Sequence, residues 1–219
     1  MAGNLRRTIV CDIPTDHSSL KLQMLRHPIL TGVLALSCGA IAVAVARPSF
    51  LQAPQATEHH SRLMDAVGTW KGTLSMWIGA PEPMTTECTE TVRAVGDLWT
   101  TSTFHCSFEG QPFEGCSTNG FDPKKGKYVS TWIDSMTAGL TVMEGEWDDA
   151  NQAIVMHYEG QDPMTGEMVP MRYESRGSSD SVSTSFFKMV DGKPERSMKI
   201  EMHKIDHSEA AEASSDHDR

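Results

Sequence analysis

Several things that this chain of 219 residues lacks narrow its chemistry before anything it contains. It has no excess of basic charge: 19 Lys and Arg stand against 29 Asp and Glu, a formal net charge of −10. Nucleic acid is therefore not an expected partner, because holding a phosphate backbone requires a basic footprint. Five cysteines are present, Cys11, Cys38, Cys88, Cys106 and Cys116, with no Cys-x-x-Cys and no Cys/His pair at zinc-ligand spacing. No structural metal is expected from them. Gly-x-Ser-x-Gly, the P-loop, the Rossmann glycine run and His-Glu-x-x-His are all missing, and no catalytic triad can be nominated. No helical period separates the strand-like segments, which excludes parallel crossovers. Long apolar runs are absent too, with one exception.

That exception is Ile29 to Ala46, an uncharged run preceded by Arg26 and His27. As a helix it spans about 27 Å, just short of a bilayer core. It ends Ala44-Val45-Ala46, a small-residue cleavage pattern. Two readings stay open, a cleaved signal peptide, which suits a start at Met24, and an uncleaved anchor, which suits a start at Met1. Both place the following domain in the periplasm or outside the cell, and membrane contact is expected only through residues 29–46. The expected layout is 1–47 signal or anchor, 48–57 linker, 58–206 one domain, and 207–219 a polar, disordered tail. A domain of about 150 residues buries about 70% of its unfolded surface.

What is present is a succession of short strands closed by strong turn signals. Phe113 to Trp147 shows it best: Gly115–Phe121, Lys127–Asp134 and Leu140–Trp147, separated by Asp122-Pro123-Lys124-Lys125-Gly126 and Thr137-Ala138-Gly139. Gly68–Trp77, Thr85–Val95 and Leu98–Phe108 precede them, after a two-turn helix over Glu58–Ala66 that Thr57 can cap. Ala153–Gly160, Met168–Arg176, Ser181–Met189 and Arg196–Ile205 follow. About ten strands joined by short turns are antiparallel and up-and-down, and closure into a barrel removes their edges. A barrel of this size leaves room for one small ligand.

Gly68-Thr69-Trp70 after a helix resembles the Gly-x-Trp signature of lipocalins and related calycins. Together with Gly110-Gln111-Pro112-Phe113-Glu114-Gly115, Gly120-Phe121-Asp122, Gly126 to Ser135 and Asp162-Pro163-Met164-Thr165-Gly166, it resembles a bacterial family of lipocalin-like domains, domain-of-unknown-function family 1579, from about His60 to Lys204. The resemblance implies a calycin-type barrel without an established activity. It also implies that Trp70 closes the barrel floor, with Arg172 or Arg196 packed over it.

Tyr128, Ser130, Trp132 and Asp134 share one face of their strand. Two readings of that face compete: a cavity wall with a carboxylate that orients a ligand, or a Trp132 plug with Asp134 capping the turn at 135–139. With Trp70 and Glu144 these residues (Trp70, Tyr128, Trp132, Asp134, Glu144) form the expected ligand site. Glu144 and Glu146 alternate with Met143 and Gly145, while Glu87 and Glu90 fall on opposite strand faces; such acids read as solvated unless a partner is fixed beside them. The fourteen Met serve as adaptable core filler or as the yielding wall of a promiscuous pocket. The expected ligand is a small apolar or amphipathic molecule, with no cofactor and no assigned catalysis. An enzyme using Asp134 and Glu144 is the alternative. A second alternative is haem: nitrobindins are ten-stranded calycin-like barrels with a similar Gly-Thr-Trp-x-Gly run and a late His ligand, a role that resemblance would give His203. Alternation with Met202 turns His203 outward. If the domain is exported, Cys88–Cys106 and Cys106–Cys116 are both open as disulfides, against three free thiols.

Overall fold

The computed structural model describes residues 54–162 and 164–206. The apolar run at 29–46, most of the linker and the tail at 207–219 lie outside the described residues. One short helix, α1 (Glu58–Met64), precedes ten strands: β1 (Gly68–Met76), β2 (Met84–Val95), β3 (Trp99–Phe108), β4 (Gln111–Asp122), β5 (Lys127–Asp134), β6 (Thr141–Asp148), β7 (Ala153–Gln161), β8 (Met168–Gly177), β9 (Ser181–Val190) and β10 (Lys193–Ile205). Each pairs antiparallel with the next, and β1 pairs with β10, so the sheet closes into a barrel. The expected up-and-down topology and strand number hold.

Differences lie at strand starts and have a local cause. β4 begins at Gln111 and β10 at Lys193, earlier than the turn residues suggest. Glu109-Gly110 and Asp191-Gly192 each take positive φ at both positions. That is the two-residue hairpin turn whose twist matches the strands, so pairing resumes at once instead of after a four-residue loop. A bulge between Arg196 and Met198 then restores the inward alternation of Met198, Ile200 and Met202. The helix stops two residues short, because Asp65 caps it and the chain must turn into Gly68, whose φ is +143°.

The barrel has two unlike ends. α1 seals the floor, where Thr57 donates its N–H to His60 Nδ1 at 3.0 Å and so caps the helix. Leu63 packs there with Phe121, Tyr128, Met143 and Met156. Burying such side chains contributes about 1.5–3 kcal/mol each. The opposite end, reached by the β1–β2, β3–β4, β5–β6, β7–β8 and β9–β10 connections, has no helix over it among the described residues.

Candidate functional site

The inner wall divides into three zones, beginning at the floor. Trp70 is 3% exposed and donates its indole N–H to Ala66 O at 2.8 Å, which ties the end of α1 to β1. Lys204 covers its ring at 5.0 Å, and the Lys204 stem lies over Gly68, where a Cβ would fall 2.8 Å from Cε. The Gly-x-Trp triplet therefore needs its glycine both for φ and for space. Lys204 takes the place expected of Arg172 or Arg196. Arg172 sits on the outer wall against Glu174, and Arg196 lies over Trp77 and Phe187, because both fall on the outward parity of their strands. Tyr128 is fully buried, and its hydroxyl lies 3.1 Å from His59 Nδ1 of α1. Burial pushes its phenol upward in pKa, partly offset by Arg62. Trp70 and Tyr128 thus serve the floor.

Above the floor runs a belt of polar side chains. Ser102, Ser117, Asn119 and Ser130 form a continuous chain over β3, β4 and β5: Ser102 and Ser117 hydroxyls are 2.7 Å apart, Asn119 Nδ2 donates to Ser117 Oγ at 2.8 Å, and Ser130 donates to Asn119 Oδ1 at 2.7 Å. Glu90 extends the belt to β2, where it alternates with the buried Cys88 and Val92 and so faces inward. Desolvation raises the Glu90 carboxyl above the usual carboxylate range, while a Ser102 hydrogen bond opposes the rise. Across the barrel Tyr173 senses the Glu90 charge; burial raises its phenol, which Ser175 and Thr184 moderate by hydrogen bonding. Tyr158, one strand away, is pushed to about 12 by burial and by Tyr173. Glu90 and Tyr173 take inward positions of β2 and β8 and are half-buried.

The third zone is the mouth. Trp132 packs against Phe104 and Phe113 at ring distances of 6.2 and 6.4 Å, over Gly115, where a Cβ would sit 2.2 Å from the indole. Its N–H donates to Asp134 Oδ2 at 3.0 Å. Asp134 Oδ1 accepts the N–H groups of Met136 and Thr137 at 2.9 and 2.8 Å. Of the two readings of this face, the plug and the turn cap are what the geometry holds. On the far side of the mouth, Lys188 Nζ meets Asp162 Oδ2 at 2.8 Å, and Lys188 holds the Asp162 carboxyl below its usual range. Asp162 Oδ1 also takes the Met164 N–H at 2.8 Å, which orders the β7–β8 turn. Met84, Met136, Leu140, Met164 and Met168 stand 45–63% exposed around the rim. A recess of about 270 Å3 opens there between Leu74, Met84, Thr86 and Phe108. A wider groove of about 400 Å3, at the β8–β9 turn on the floor side, belongs to neither the belt nor the mouth.

Glu144 does not join the site. Met143 and Gly145 take the inward positions of β6, so Glu144 projects outward and pairs with Lys125. His203 is likewise exposed on the outer face, beside the inward Met202. Cys88 and Cys106 are direct cross-strand partners inside the wall, and burial pushes their thiols to about 12 and about 11. Cys116 lies opposite Thr103 and Ile133 on the other face of β4, so a Cys106–Cys116 bridge is ruled out by register; Cys88 and Cys106 are present as thiols. The belt residues Ser102, Tyr158 and Tyr173 were not singled out by sequence, and Glu90, placed on the face opposite Glu87, was read as solvated. A usable signal was there: Glu90 is the charged residue in the inward run Cys88–Glu90–Val92.

The model of the family described as Protein of unknown function (DUF1579) matches residues 55–204. The chain belongs to that family. The match runs from the linker before α1 to Lys204, one residue short of the end of β10. Among solved structures, the DUF1579 chain is similar to Rv2717c from M. tuberculosis, with a TM-score of 0.52 at 15% identity, covering 69% of this chain and 100% of that one. That likeness shows the shared barrel fold. An S-type phycobiliprotein lyase, CPES from Guillardia theta, is similar with a TM-score of 0.47 at 11% identity, over 67% of this chain and 91% of that one. No curated protein matches significantly.

Proposed function

We propose that this DUF1579 domain is a binding protein that holds one small amphipathic molecule in the barrel, polar end at the Glu90 belt and apolar end at the methionine-rich mouth. The observation that carries this is the hydrogen-bonded belt of Ser102, Ser117, Asn119 and Ser130 on inward positions of the barrel, with the half-buried Glu90 on the inward face of β2 beside it in the strand order. Polar groups are tolerated inside a barrel only when hydrogen-bonded, and the serine and asparagine chain supplies that. Few convergent polar groups in an otherwise apolar wall are the usual makeup of a small-molecule site. The exposed methionines offer an adaptable rim.

Catalysis by Asp134 and Glu144 is not part of the proposal, since one carboxylate caps a turn and the other lies outside the barrel. Ser102, the hydroxyl nearest Glu90, is committed to Ser117 at 2.7 Å, so the belt is not assigned a nucleophile. The test is saturable one-to-one binding of the neutral fluorescent amphiphile N-phenyl-1-naphthylamine, alongside native mass spectrometry of protein purified from its host. Binding with micromolar affinity or a co-purifying small mass is the expected result; the absence of both overturns the proposal.

The proposal also puts the domain outside the cytoplasm, supported by the apolar run 29–46 and the Ala44-Val45-Ala46 pattern. Alkaline phosphatase fused after Gln55 should be active in a bacterial host. An inactive but intact fusion would remove this part.

A further inference from the structure

The barrel wall is not laddered to the same height all round. β1 and β2 stay paired up to Met76 and Met84, and β3 and β4 up to Phe108 and Gln111, so both hairpins reach the mouth intact. The seam between these hairpins is shorter, because the β2–β3 ladder ends at Cys88 and Cys106. Above that pair Thr86 Oγ1 donates to Ser107 O at 2.8 Å. The recess of about 270 Å3 opens in the same place, with Leu74, Met84 and Thr86 on one side and Ser107 and Phe108 on the other. Cys88 and Cys106 therefore stand at the foot of a fork between two hairpins. We infer that they are a dithiol that oxidises to a disulfide, bolting β2 to β3 below the recess. The inference is independent of what the barrel holds.

Register and facing both meet what the bond requires. Directly opposed residues of an antiparallel ladder have Cα atoms about 4.5–5.5 Å apart, inside the roughly 4.4–6.8 Å that a disulfide spans. Opposed side chains also share a face, and these two lie in one core cluster with Leu74 and Phe104, 1% and 2% exposed. Cys116, opposite Thr103 and Ile133, is on the wrong face to replace either. The oxidant is an external disulfide, of a small thiol or of a protein. One cysteine thiolate attacks a sulfur of that disulfide and expels one thiolate, leaving a mixed disulfide. The other cysteine then attacks the mixed disulfide at the protein sulfur, forms the Cys88–Cys106 bond and expels the second thiol. The protein loses two hydrogens and two electrons, which the external disulfide takes up as two thiols. Burial holds both thiols high, Cys88 more than Cys106, so little thiolate is present, the exchange is slow, and Cys106 attacks first.

The experiment incubates the full chain with excess glutathione disulfide, then maps its disulfides by mass after digestion. Cleavage at Glu109 or Glu114 separates Cys106 from Cys116, so the two possible partners are distinguished. The expected product is one peptide pair joined through Cys88 and Cys106, and Cys116→Ser should form it equally well. Thiols at both positions after prolonged incubation overturn the inference, as does a lasting glutathione adduct on either cysteine or a bond from either to Cys116. The same samples are melted with and without reductant. Closing the hairpin should raise the melting temperature of the oxidised chain by roughly 5–10 °C, in Cys116→Ser as in the native chain. An oxidised chain that melts no higher than the reduced one overturns the bolt.

Discussion

Asp134 illustrates how one side chain can be fully committed to structure while standing where a ligand group is expected. Its two oxygens accept from Trp132 Nε1, Met136 N, Thr137 N and Thr137 Oγ1. A carboxylate with four donors has no lone pair to spare for a ligand. Asp134→Ala leaves an indole N–H and two backbone N–H groups without partners, at a cost of about 2–3 kcal/mol. The expected result is a lower denaturant midpoint with unchanged probe affinity; a selective loss of affinity at unchanged stability would return Asp134 to the ligand site. That Tyr128, Ser130, Trp132 and Asp134 share one face was legible from alternation, but that this face is the inward one was not, because Val129, Thr131 and Ile133 offer an equally apolar alternative. The role of that face was decided by Met136 and Thr137, whose N–H directions sequence does not give. Glu90 was misread for the opposite reason: an acid in a strand normally reads as solvated, and its inward depth depends on its cross-strand neighbours Trp70 and Phe104.

At the scale of elements, turn chemistry and alternation marked all ten strands, because each connection is short and carries Gly, Pro or Asp. The two hairpins that begin earlier than expected share one cause, a pair of positive-φ residues in Glu109-Gly110 and Asp191-Gly192. Register was less accessible. Cys106 has Cys88 on one side and Phe113 on the other, which distinguishes the two candidate bridges, and that pairing depends on the two-residue turn that starts β4 at Gln111. The helix illustrates the same limit: Thr57 was legible as its cap, but not that Leu63 and His59 would seal the floor against Phe121 and Tyr128.

For the molecule as a whole, the belt costs stability that the floor and mouth supply, and pH exposes the exchange. Asp162 and Asp148 are held below their usual range, by Lys188 and by Asn151 respectively. Their contribution is present above the unfolded carboxylate pKa of about 3.9 and is lost as pH falls through the folded values. Glu90 has the opposite sign. Its folded pKa is raised, so the folded state binds more protons than the unfolded state between the unfolded value of about 4.3 and the folded one. Stability therefore falls as pH rises through that window. Below it both states are protonated and Glu90 costs little. Glu90→Gln keeps the volume and a hydrogen bond to Ser102 and cannot ionise. It should melt about 2–4 °C above the native protein at pH 8 and within a degree or so of it at pH 4, read by the 222 nm circular dichroism melt. A Gln variant less stable at pH 8 would mean that Glu90 is an integral part of the barrel wall. A more stable variant with weakened probe binding would show a carboxyl retained against stability, as a binding group is.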